Sequence, residues 1–218
     1  MAVSRQIRVV AWVWLGLCGM IQPAMSGEKP HVEVTKIPHS TAMIAKLDGE
    51  MDVPAAAVQA VLCDLENHTR FSPESERVAV LTEQEVRAIE RSAPTKRSAV
   101  EPLVMPGRHR AQCPGATYVV NLLDFPFPMG NGWSVALYEG DMTGTTFRLR
   151  FDTLFGSDKG AGEYQVIPLS ETRSRVRIRY DIDLGISLPR FLLDWTLNSR
   201  LPSMFAAIES EARTRLHP

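Results

Sequence analysis

The side chains able to do acid–base or metal chemistry are few and scattered. His68 follows Asp64 by four residues, a spacing that lets the two touch on one helix. With no nucleophile or third group beside them, they read as a surface pair closing that helix and not as a catalytic dyad. Asp181 and Asp183 share one face of any strand, and two carboxylates are too few for a calcium site. Cys63 and Cys113 could pair in oxidising surroundings, in a loop closure worth roughly 3–5 kcal/mol. Cys63 falls mid-helix, however, where a buried free thiol is the commoner state. The other histidines (His31, His39, His109 and His217) lie mostly in tails and loops. Glycine-rich phosphate loops, paired CxxC, HExxH and G-x-S-x-G are all missing from the sequence, so neither metal nor cofactor is expected.

Apolar recognition is better supplied. Trp133, Phe147, Phe151, Tyr164, Tyr180 and Trp195 all fall on expected inward positions, with Leu192 beside Trp195 on the last helix. As plain core they need no further explanation. Lining one space, the polar tips of the tyrosines and tryptophans would suit a flat ligand or one of mixed polarity.

The elements that would position these residues are mostly clear. Thr41 to Val53 alternates, with Met43, Ala45, Leu47 and Met51 facing Lys46, Asp48, Glu50 and Asp52 across a strand with one wet face. Pro54 opens a helix over Ala55 to Asn67, buried along Val58, Val61, Leu62 and Leu65. Arg77–Leu81 and Glu85–Glu90 read as a hairpin around Thr82-Glu83-Gln84. Ser92 to Gly115 is broken by prolines and made basic by Lys96, Arg97, Arg108 and Arg110; it has room for a strand around Ala99 to Met105.

From Thr117 a meander follows. Its strands are Tyr118–Leu123, Trp133–Glu139 (Trp133, Val135 and Leu137 on one face), Thr145–Asp152 (Phe147, Leu149 and Phe151 inward), Glu163–Leu169 and Arg175–Leu184. On the last, Val176, Ile178, Tyr180 and Ile182 face in. Arg148, Arg150, Arg175, Arg177 and Arg179 form an outer stripe, read as a solvated face balanced by Asp152, Glu163 and Asp181. The final helix, Leu188 to Leu216, carries two apolar rows, with a kink or break expected before Pro202. Two rows imply one side on a sheet and another towards a lid or cavity. Hairpin-linked strands between two helices make an antiparallel α+β domain.

The bulk numbers are ordinary: 218 residues, 44% hydrophobic, 22% charged and a net charge of −1. Such a chain offers no field to attract nucleic acid. Residues 1–26 read as an export leader. Arg5 and Arg8 precede the apolar run Val9 to Ile21, and Pro23-Ala24-Met25-Ser26 sets cleavage after Ser26. The run is short of the ~20 residues a spanning helix needs. The expected organisation is a signal peptide over 1–26, a tail over 27–40 and a folded domain over 41–218, periplasmic or secreted, with a net charge of −3 after cleavage.

The order of strand, helix, turn, antiparallel strands and long terminal helix resembles the START/polyketide-cyclase (helix-grip, SRPBCC) superfamily. Its local wording recurs in Val53-Pro54-Ala55-Ala56-Ala57-Val58, in Asp64-Leu65-Glu66-Asn67 through Phe71-Ser72-Pro73, and in Phe127-Pro128 before Trp133. Gly162-Glu163-Tyr164 before Pro168 and Leu188-Pro189-Arg190 also match, so the resemblance covers about Thr41 to Arg215. It is similar most to the coenzyme-Q-binding, cyclase/dehydrase-like branch. The resemblance implies a curved sheet gripping the long helix, with an elongated apolar cavity between them. It implies binding or carriage of a hydrophobic small molecule (a lipid, sterol-like compound or quinone); transient membrane contact is a further expected partner. Two other readings stand beside it. One is a cyclase/aromatase-type enzyme using Tyr164 or Tyr180, with Asp124 or Arg108 at the mouth. The other is a protein-binding module using the arginine stripe.

Overall fold

Strict alternation of apolar and charged residues makes strand β8 (Ser174–Asp183) the pattern for the whole molecule. In the computed structural model, residues 30–37, 40–72, 74–125, 130–156, 159–183 and 190–216 are described, with side chains of 125 and 190–196 excepted. The other strands are β1 (His31–Lys36), β2 (Ala42–Met51), β3 (Ser75–Leu81), β4 (Gly115–Phe125), β5 (Gly130–Thr143), β6 (Thr146–Gly156) and β7 (Lys159–Pro168). They form one antiparallel sheet in the order β1-β2-β8-β7-β6-β5-β4-β3, open at β1 and β3. The helices are α1 (Ala55–Cys63), α2 (Glu83–Ser92), α3 (Arg97–Val100) and the long α4 (Arg190–Leu216). The architecture is the expected antiparallel α+β helix-grip fold.

The C-terminal half of α4 packs into the core. Leu201, Met204, Phe205, Ile208 and Ala212 are buried against α1 and the inner face of β2, β6, β7 and β8. Two ion pairs and a hydrogen bond ring this contact: Arg215 with Asp64 at 2.6 Å, Arg70 with Glu211 at 2.7 Å, and Glu209 accepting from the Asp52 backbone N–H at 3.1 Å. Each surface pair is worth at most about 1 kcal/mol, so burial and not charge holds the helix. Of the kink or break expected before Pro202, the break does not occur: the helix runs on through the proline.

Other local expectations change. The tail contains β1, an edge strand in which Val32 and Val34 pair with Leu47 and Ala45. The first helix stops at Cys63, and residues Leu65–Arg70 continue as a 3-10 helix. The second half of the expected hairpin is α2. Thr82 and Glu85 form a reciprocal capping box that starts the helix, and Val86 and Ile89 bury its single apolar stripe. The expected strand near Ala99 is α3 followed by a 3-10 turn, Glu101–Leu103. These helices cover the outer face of β3–β5, where a second core forms from Ala79, Leu81, Val120, Leu122, Trp133 and Val135 with Val86, Ile89, Val100 and Val104.

Cys63 and Cys113 are joined in a disulfide, not left as a buried thiol. Ending α1 at Cys63 turns its side chain towards the segment before β4. The bridge spans 50 residues of sequence, a closure worth about 4 kcal/mol on the chain-entropy model.

Candidate functional site

Cross-strand register sorts the inner face into rows. Phe147, Val166 and Val176 pair across β6, β7 and β8, and the row is capped by the Phe205 ring over Gly49. The next row holds Leu149, Tyr164, Ile178 and Leu47. Every residue named in these two rows except Gly49 is buried. The third row runs Tyr138, Phe151, Gly162, Tyr180 and Ala45. Here the first four become partly exposed although they face inward. Thr153, Gly160 and Ile182, one row further on, are partly exposed too. Filling is therefore complete on one half of the inner face and incomplete on the other.

The third row is an aromatic band. Tyr138 stacks on Phe151 at 5.5 Å between centroids, and Phe151 meets Tyr180 at 5.6 Å. Gly162 makes this possible: a Cβ there would lie 2.4 Å from the Phe151 ring, which occupies the space above the glycine. At one end of the band the His68 ring sits edge-on to Tyr138 at 5.7 Å and against Phe71 at 4.6 Å.

Polar atoms in and beside the band are largely satisfied. Tyr180 donates to the Met204 sulfur at 3.3 Å, which leaves Tyr164 to donate to the Tyr180 oxygen at 2.5 Å. Burial pushes the Tyr164 hydroxyl up to about 12 and the Tyr180 hydroxyl well above its ordinary value, the latter raised further by Tyr164. Both stay protonated at neutral pH and act as neutral hydrogen-bonding groups. Burial likewise lowers His68 to about 4, against the pull of its hydrogen bond to the Leu62 carbonyl and of Asp64. Its Nε2–H donates to that carbonyl at 2.8 Å.

Of the residues expected to line a ligand space, Phe151, Tyr164 and Tyr180 are brought together. Phe147 lies two rows deeper, in packed core. Trp133 is on the opposite face, in the second core under α2 and α3. Leu192 and Trp195 stand on α4, but their side chains fall outside the described residues, as does the turn 126–129. Tyr138 was missing from the expected set. Taking Trp133, Val135 and Leu137 as inward reverses the parity of β5, because helices bury its outer face as well. Pairing Phe151 with its cross-strand partner identifies Tyr138 directly.

Other candidates dissolve. Asp64 binds Arg215 and Asn67 while His68 turns into the core, so the two do not pair. Arg108 is 2.7 Å from Glu85 at the start of α2, away from the band. Four arginines of the stripe are met by acids, Arg175 and Arg177 by Asp48, Arg179 by Asp181 and Arg150 by Asp141, while no described acid pairs with Arg148. Among the described residues, no group of three or more His, Cys, Asp or Glu could hold a metal ion. No described helix is long and apolar enough to cross a membrane.

The family model for polyketide cyclase/dehydrase and lipid transport matches residues 51–209. Among solved structures the chain is similar to a STAR-related lipid transfer protein fragment from Xanthomonas axonopodis, with a TM-score of 0.60 at 13% identity, covering 85% of this chain and 99% of that one. It is similar to a START superfamily protein from Mycobacterium smegmatis, with a TM-score of 0.55 at 10% identity, covering 79% and 98%. It is also similar to the Zhui aromatase/cyclase from Streptomyces sp. R1128, with a TM-score of 0.54 at 16% identity, covering 81% and 96%. At these identities the likeness is one of fold. Among curated proteins none matches the sequence.

Proposed function

We propose that this chain, which belongs to the polyketide cyclase/dehydrase and lipid transport family, binds a hydrophobic small molecule between the sheet and the N-terminal half of α4. One observation carries the reading. Along β6, β7 and β8 the inward side chains pass from fully buried to partly accessible at the row Phe151–Gly162–Tyr180. Accessible aromatic surface on the concealed face of a sheet is what a ligand space requires. A lipid, sterol-like compound or quinone would bind mainly by burial, at about 25 cal/mol per Å² of apolar surface.

Lipid transfer and aromatase/cyclase names among the similar structures support this class of ligand. An enzyme would need a base tuned near its operating pH. Tyr164 and Tyr180 are held protonated, and His68 spends its Nε2–H on a backbone carbonyl. Binding and carriage therefore rank ahead of catalysis. Export to the periplasm or medium is part of the same proposal. It is supported by the leader-like residues 1–26 and by the Cys63–Cys113 bridge, which persists in oxidising compartments. Ligand loading by brief membrane contact fits such a carrier.

Native mass spectrometry on protein purified from its own host tests the proposal. A mass exceeding that of the polypeptide by one small apolar molecule is expected. Bare polypeptide, unchanged on adding lipid extract, overturns it.

A further inference from the structure

Beyond the aromatic band, two buried polar side chains stand on the inner face without a side-chain hydrogen bond to any described residue. Asn121 on β4 and Ser134 on β5 are direct cross-strand partners. Both point inward: Asn121 is two residues from Val119 and pairs with Val78, and both valines belong to the inner core. Asn121 is 8% exposed and Ser134 5%. Yet neither side chain makes a hydrogen bond to any described residue, whereas Tyr164, Tyr180 and His68 are all engaged. Their polar tips are not sealed off but keep accessible surface, so the space beside them can admit a water or a ligand oxygen. Gly156, the cross-strand partner of Ser134, adds no side chain beside the pair; its φ of +145° and the Trp133 carbonyl oxygen 2.4 Å from where a Cβ would stand require glycine there.

The surroundings define what would suit the pair. Inward neighbours on the adjoining rows are Ala136, Thr153, Tyr138 and Phe151, all uncharged. Glu74 and Arg200, which reach in from the lead to β3 and from α4, are bound to each other at 2.6 Å. A charged headgroup would therefore find no free counter-ion on these rows among the described residues. We propose that Asn121 and Ser134 form a polar subsite that selects, among apolar ligands, those bearing an uncharged oxygen, a carbonyl or hydroxyl, at one end. The aromatic band would cover the apolar body while the Asn121 amide donates to the oxygen and Ser134 donates or accepts. This rests on the interior-binding reading above and adds the chemical class of the ligand to it.

Matched probes separate the two claims. Titrate the full folded domain with 2-acetylnaphthalene and 2-ethylnaphthalene, and with 1-dodecanol and dodecanoate, following the Asn121 side-chain amide by NMR. We expect the ketone to bind about tenfold or more tightly than its hydrocarbon analogue, the alcohol to outbind the carboxylate, and the Asn121 amide signals to move. Ser134→Ala and Asn121→Leu should each remove most of that preference while apolar binding survives. If Asn121→Leu does not fold, Ser134→Ala and the amide shift decide. The stronger of the two neutral probes tells whether the body is flat or an acyl chain. Equal binding within the naphthalene pair, with the amide unmoved, overturns the subsite and leaves interior binding standing; it would mean that water alone meets the pair. Tighter binding of dodecanoate overturns the preference for an uncharged oxygen. Binding of none of the probes overturns both readings.

Discussion

The two halves of the inner sheet face use similar residues for different ends. In the packed half, Phe147, Leu149 and Phe205 are enclosed and touch protein on every side. In the open half, Phe151 follows Leu149 on β6 with the same parity, and its row-mates Tyr138 on β5 and Tyr180 on β8 face the same way, yet all three keep accessible surface. The contrast follows from where side-chain volume is spent. The C-terminal half of α4 drives Phe205 and Ile208 against the sheet, and the disulfide and ion pairs gather around that end. What stabilises the fold and what offers a surface to a ligand are thus separated along the strands by about one residue pair.

The largest expected effect lies in the packed half. Phe205→Ala removes a fully buried ring and should cost about 3–5 kcal/mol in urea unfolding. A loss under 1 kcal/mol would break the distinction between the halves. Next, replacing both Cys63 and Cys113 by serine should cost about 4 kcal/mol, reproduced by reduction of the native protein. Ligand affinity per folded molecule should change little.

The boundary between the halves is marked by His68, and it makes stability depend on pH. Burial lowers its folded value to about 4 from an ordinary 6.5, so folding favours the neutral ring. The contribution is complete above pH 6.5 and is lost as pH falls towards 4, a span worth roughly 3 kcal/mol. His68→Phe should flatten unfolding free energy over that window, leaving only the titration of carboxylates. An unchanged slope would show that His68 is not held neutral.

How much of this could be read from the sequence depended on whether a strand has one wet face. β2 and β8 do, and Met43, Ala45, Leu47, Val176 and Ile178 were legible as inward residues. β5 does not. Trp133 and Val135 are as apolar as an inner row should be, but α2 and α3 bury them from outside, and the true inner row of Ser134, Ala136 and Tyr138 is more polar. α2 itself was obscured by its charged residues. The capping box Thr82–Glu85 and the helical spacing of Val86 and Ile89 were the available signals. Asn121 and Ser134 were invisible for the reason that makes them informative: polar residues on a core face break the pattern used to find that face. His68 could not be placed while α1 was taken to run past Cys63, since the 3-10 helix is what turns its ring inward.

Two substitutions in the open half sharpen the comparison further. Phe151→Ala removes a ring that is already partly exposed and has fewer neighbours to lose. It should cost roughly 1–2 kcal/mol, well below Phe205→Ala, while binding of an apolar ligand falls at least tenfold. Thermal melting and ligand titration on the same protein check it. A large stability loss with unchanged binding would move Phe151 into the packed half and place the ligand elsewhere.

The smallest effect is expected from Tyr180→Phe, and it bears on catalysis. The change keeps the ring against Phe151 and removes one hydroxyl. Tyr164 loses its acceptor, and the Met204 sulfur loses a donor, though thioether sulfur is a weak acceptor. The cost to stability should be about 1 kcal/mol, the net worth of a typical hydrogen bond. Apolar binding should stay within about threefold, because burial supplies most of it and the lost hydroxyl was already engaged inside the protein. A cyclase or aromatase relying on this hydroxyl behaves differently: its substrate would still bind, but turnover of a polyketide-like ketone would vanish. Measuring affinity and turnover on Tyr180→Phe therefore separates a wall of the site from a reacting group. Intact affinity with abolished turnover would make Tyr180 a catalytic residue, whereas no turnover in either protein, with affinity preserved, is the outcome expected of a carrier.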